Sequence, residues 1–156
     1  MTNGQPELLK GLSQDEVDAI LALGTTNTLS HGWELFHLGD VADSIYLVRR
    51  GRIRLTLPMP VRGRDEDVLV EESRPGEAVG WSALTPPYRF TLTAKAPLET
   101  QVIALPREAL LEYFDAHPAV GRLVLLNLAA LIGHRLQLFQ AMWLREMQRT
   151  VEQHSV

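Results

Sequence analysis

GWELFHLGDVADSIYLVRRGRIRL, residues 32–55, is the stretch whose pattern decides the fold. Between its three glycines, Gly32, Gly39 and Gly51, apolar or aromatic residues alternate with polar ones, and this period of two predicts strands at Leu35–His37, Ser44–Arg50 and Arg52–Leu57. The same period extends outward in both directions. It reads as Thr25–Leu29 upstream, and as Asp67–Glu72, Ala78–Ser82, Arg89–Ala94 and Thr100–Leu105 downstream, each run bounded by Gly, Pro, Asn or Asp. Short strands at such spacing predict an antiparallel β jelly roll, a double-stranded β-helix. Residues 58–66, with Pro58, Pro60 and Gly63, are expected to form an exposed hairpin loop.

Beyond residues 25–105 the period changes to that of a helix. Ser13-Gln14-Asp15-Glu16 is a capping box, and Val17, Ile20, Leu21 and Leu23 follow at helical spacing as far as Gly24. On the other side Pro106 opens one helix, and Pro118 ends it and opens the next. Nothing interrupts the pattern from Pro118 to about Glu152, roughly 50 Å of helix. Leu125, Leu128, Ile132, Leu136, Phe139, Trp143, Met147 and Val151 form a stripe along it, longer than one barrel needs, and a second copy of the same helix is the expected cover. The chain is therefore expected to be one α+β domain and a homodimer: an N-terminal helical segment, 1–24; a β jelly-roll core, 25–105; and the C-terminal helices, 106–156.

Composition narrows the chemistry. The chain of 156 residues has no cysteine, which excludes thiol catalysis, cysteine-ligated zinc and disulfides. Fifteen basic and nineteen acidic residues give a net charge of −4, which argues against nucleic acid as the main partner. Arg122, Arg135, Arg145 and Arg149 are spread along the long helix, so no direct contact with DNA is expected. The start of the chain lacks a basic segment followed by an apolar one, and the apolar stretch Leu123–Gly133 is too short to span a bilayer, so a cytoplasmic location without membrane contact is expected. The five histidines, His31, His37, His117, His134 and His154, include no His-x-His pair, and no metal site is expected. No serine sits in a nucleophile elbow, and the acids are scattered, so no catalysis is expected.

PGEAVGWSALTPPYRFTLTAKA, residues 75–96, carries the candidate site. Gly76, Gly80 and Ala83 allow close approach to the backbone, and Pro86-Pro87 force a turn before the next alternating run. Free amides in such a turn, with an arginine nearby, can cradle a phosphate without catalysis. A Gly- and Pro-rich corner of a barrel is the other reading of these residues.

Taken together, the opening helix, barrel, cradle and closing helices resemble the cyclic nucleotide-binding domain family. Gly32, Gly39, Asp40, Ala42, Tyr46, Leu47, Val48 and Gly51 match its turn and strand positions in order, and the similarity runs from Leu8 to about Gln140. It implies a phosphate cassette whose Gly, small residue and Leu fall on Gly80, Ala83 and Leu84. The ribose-binding carboxylate of that cassette is replaced by Trp81, and its arginine position, counted from either side, falls on Phe90, with Arg89 one residue early. Arg89 would face inward only through a bulge or a shortened turn. By this resemblance the chain is a non-catalytic sensor without a cofactor, its ligand a cyclic nucleotide or another phosphate-bearing small molecule. Gly80, Ser82 and Ala83 would present amides, Arg89 the charge, Thr91 a hydroxyl, Trp81 and Phe90 the walls, and Leu136, Gln137 and Gln140 the cover over the base. The alternative is a ligand-free dimeric interaction module, its pocket filled by its own aromatic side chains.

Overall fold

The computed structural model describes residues 4–155, so the first three residues of the N-terminal segment and Val156 lie outside the described part. Ser13 caps α1, Gln14–Leu21: its Oγ accepts from the Glu16 amide at 3.2 Å, and the Glu16 carboxylate accepts from the Ser13 amide at 2.9 Å. Before it lies a short 3-10 turn, Glu7–Leu9, which the pattern of the sequence did not announce. Eight strands follow: β1 Thr25–Leu29, β2 Glu34–Phe36, β3 Ser44–Arg50, β4 Ile53–Val61, β5 Arg64–Ser73, β6 Ala78–Val79, β7 Thr93–Lys95 and β8 Thr100–Pro106. They form two four-stranded antiparallel sheets, ordered β1-β8-β3-β6 and β2-β7-β4-β5, the jelly roll expected from the alternation. Ile45, Leu47, Ile53, Leu55, Val102 and Leu105 are buried in its core.

Three local expectations are corrected. The segment 58–66 is strand for most of its length, and β4 and β5 turn through Arg62-Gly63 alone, both at positive φ. Two-residue turns of that handedness match the twist of paired strands, so the hairpin has no longer loop. The run Ala78–Ser82 is a strand for two residues and then turns 3-10 at Trp81–Leu84, because Gly80 is left-handed (φ 80°, ψ 33°) and breaks the extended chain. Finally, Arg89–Ala94 is not one strand. Residues 88–90 instead bond to the 39–42 turn: Gly39 donates to Phe90 O (2.8 Å), Phe90 to Asp40 O (3.0 Å) and Ala42 to Tyr88 O (2.8 Å).

Two helices close the domain, α2 Arg107–Ala116 and α3 Pro118–His154. A β-carbon on Gly121 would stand 2.6 Å from Phe114 Cβ, so α2 and α3 approach each other where that side chain is missing. Val120, Val124 and Leu128 bury one face of α3 against the rest of the domain, and Asn127 Nδ2 donates to Leu8 O (3.0 Å) and Lys10 O (2.9 Å) in the N-terminal segment. By length and composition α3 would also suffice to cross a bilayer, a property the shorter stretch Leu123–Gly133 did not suggest. About a third of a turn from the barrel-facing side, Leu125, Leu136, Phe139, Trp143, Met147 and Val151 are all exposed along the helix.

Candidate ligand cradle

The cradle is built where β6 ends. Gly80 allows the chain to reverse, and the 3-10 turn behind it uses the Ala83 amide, which donates to Gly80 O at 3.0 Å. One of the three amides expected to meet a ligand is thus engaged within the turn. Around Gly80 stand three rings: a β-carbon there would lie 3.1 Å from Phe90, 3.3 Å from Tyr46 and 3.4 Å from Phe36. Phe36 and Phe90 are stacked with centroids 3.7 Å apart and planes within 8°, and both are buried. The space left among Phe36, Leu55, Gly80, Trp81, Ser82, Phe90, Thr91, Leu92 and Arg135 is about 20 Å³. That is room for about one water, against the roughly 300–1,000 Å³ of ordinary small-molecule sites.

The same loop decides where the cations go. Because residues 88–90 are bonded to the 39–42 turn, Phe90 points inward, and Arg89 is exposed with its Nη1 donating to Gly39 O at 3.1 Å. No bulge turns Arg89 into the cradle; it pairs instead with Val41 in an isolated bridge. Trp81 is half-buried and Ser82 buried on one side of the space, and Thr91 is exposed at its rim. Leu136, Gln137 and Gln140 are exposed on α3.

The residue of α3 that does line the cradle is Arg135, one of the arginines spread along the long helix. Its Nη2 donates to Ala78 O at 3.1 Å and its Nε meets Glu71 Oε1 at 3.0 Å, with only 16% of its side chain exposed. The other side of the Ala78 peptide is held as well, its N–H donating to Glu7 Oε1 at 3.2 Å. The two-residue strand carrying the cradle is therefore clamped between the first turn of the chain and the long helix. Burial pushes the Glu71 carboxyl above its ordinary range, a shift that Arg135 opposes and nearby Glu77 reinforces; Glu7 is raised by burial too.

Removing Arg135 leaves Glu71 half-buried without its partner. Arg135→Ala is expected to destabilise the domain by about 1.5–3 kcal/mol. An acid whose pKa is raised on folding binds its proton more tightly in the folded chain, so stability falls as pH rises through that pKa. The deficit should therefore be larger at alkaline than at mildly acidic pH in urea titrations, and a deficit independent of pH would show that Glu71 does not carry it.

Comparisons with known proteins agree with this fold. The family model described as "Cyclic nucleotide-binding domain" matches residues 26–117. The "Cyclic AMP receptor protein" of Thermus thermophilus is 32% identical over 134 residues, 86% of this chain and 58% of the relative. "Glutaminase 1" of Bradyrhizobium diazoefficiens is also 32% identical, over 83% of this chain but 20% of that protein. The chain thus spans little more than half of one curated relative and a fifth of the other. Among solved structures, the catabolite activator protein of Thermus thermophilus superposes with a TM-score of 0.77 at 30% identity, covering 91% of this chain and 63% of that one. The jelly roll, the cradle at Gly80 and a family match over more than half of the residues lead to one assignment: the chain belongs to the cyclic nucleotide-binding domain family.

Proposed function

We propose that the chain is a non-catalytic regulatory domain whose cradle is closed to ordinary cyclic mononucleotides, and which acts in the cytoplasm as a dimer through α3. One observation carries this reading: the Phe36–Phe90 stack occupies the cradle and leaves about 20 Å³. Two substitutions support it, since Trp81 stands where the family places a carboxylate and Phe90 where it places an arginine. This is the interaction-module alternative, carried by a sensor fold.

The expected result follows from linkage: a ligand stabilises a fold by RT ln(1 + [L]/Kd), so one that does not bind shifts nothing. Melting of nucleotide-free protein should be unchanged by cyclic AMP, cyclic GMP or cyclic dinucleotides, and equally so in Arg89→Ala. A rise of several degrees in the wild type would overturn the reading. If Arg89→Ala abolished that rise, the phosphate would be assigned to Arg89, and the ligand sensor would become the better account. That second reading draws its support from the left-handed Gly80 and from Arg135, a cation still lining the cradle.

A further inference from the structure

Arg107, the first residue of α2, reaches back across the domain into the cradle loop. Its Nη1 donates to Ala42 O and, at 3.2 Å, to Ala83 O, and its Cζ stands 4.1 Å from the centroid of the Tyr88 ring. Its own backbone N–H donates to Asp43 O at 2.8 Å. One side chain thus joins the β2–β3 turn, the end of the 3-10 turn and the Tyr88 loop to the start of the helical tail. Its partners are carbonyls and an aromatic face.

Tyr88 adds an independent observation. Its φ is +59°, in the left-handed region where a residue with a β-carbon is strained and glycine is not. Strain of this kind persists where the surroundings hold it in place. Here the Tyr88 N–H donates to Thr85 O (3.0 Å), its carbonyl accepts from Ala42, and its ring covers the Arg107 guanidinium. Beyond Arg107 the contact continues through α2 to Phe114, which fills the gap at Gly121 of α3.

We propose that the Tyr88 ring and Arg107 form a latch that sets the angle of α2 and α3 relative to the cradle loop, making Arg107 the positioning residue through which that loop governs the dimer helix. The latch rests on the regulatory reading only in taking helix orientation as the output, and the oligomeric state of the chain tests that reading separately.

A chain without cysteines can carry spin labels at Asn27→Cys on β1 and Gln148→Cys on α3, both exposed positions. Dilution into a large excess of unlabelled chain confines the measured distance to one protomer. Gln148 lies about 45 Å along the helix from Pro118, so a tilt of about 5° moves it by about 4 Å. Tyr88→Gly relieves the backbone and removes the ring, so it is expected to shift or broaden the distance distribution while the protein stays folded. Arg107→Met should do the same, and Tyr88→Phe, which keeps a ring over the guanidinium, should leave the distribution as in the wild type. An unchanged distribution in Tyr88→Gly would overturn the latch, and so would a shift of the same size in Tyr88→Phe.

Discussion

Replacing Phe139 and Trp143 together by glutamate is expected to convert the protein from a dimer of about 35 kDa to a monomer of 17.5 kDa in sedimentation at micromolar concentration. The expectation comes from a face of α3 that the barrel leaves uncovered. Leu125, Leu136, Phe139, Trp143, Met147 and Val151 are spaced by eleven residues and then by three or four, which keeps them on one side of the helix, and Trp143 is 62% exposed. Six such side chains per helix, each about half-exposed in the protomer, gain about 0.7–1.5 kcal/mol apiece when covered, enough over two helices to match or exceed the roughly 4–15 kcal/mol that association costs. Two glutamates per chain place four carboxylates in an apolar seam. At about 1–3 kcal/mol for each uncompensated polar group, the dissociation constant should rise at least a thousandfold. A wild-type chain that already sediments at 17.5 kDa would remove dimerisation from the proposed function and leave the cradle argument standing.

How far the fold could be read from sequence depended on whether local pattern or distant contact sets the conformation. β1 and β3 were legible to the residue, β3 because its apolar residues turn to a buried face and β1 because its threonines run between Gly24 and the buried Leu29, and α1 was legible from the capping box that the structure contains. The region 88–95 was not, since what removes residues 88–90 from a strand is bonding to a turn nearly fifty residues earlier. Counting from Leu84 and from Ala96 nevertheless put Phe90 at the inward position, and the buried ring agrees. Arg135 was missed for a different reason. Along α3 it continues the face of Val124, Leu128 and Leu131, so an arginine on the barrel-facing side was the available signal, but periodicity does not reveal that Glu71 waits opposite it.

The strongest test of the closed cradle is to open it. Trp81→Glu combined with Phe90→Arg is expected to raise affinity for cyclic AMP by about a hundredfold to ten-thousandfold, two charge-assisted contacts at about 1.5–3 kcal/mol each. Geometry favours both changes. Phe90 already points inward while Arg89 is held out by Gly39 O, so a guanidinium at the inward position needs no change of register. Trp81 and Arg135 line the same space, so the new carboxylate has a cation near it before any ligand arrives. Loss of the stacked ring and burial of a new cation should first lower the melting temperature of the ligand-free variant, and cyclic AMP should then raise it by several degrees, where it leaves the wild type unmoved. Phe90→Ala separates volume from charge: it empties the cradle without supplying a phosphate partner, and should bind cyclic AMP far more weakly than the double variant. Equal binding by the two would mean that ring volume alone had kept the nucleotide out. A folded double variant that binds no better than the wild type would move the cause of closure away from positions 81 and 90, to the clamp of Glu7 and Arg135 on the Ala78 peptide.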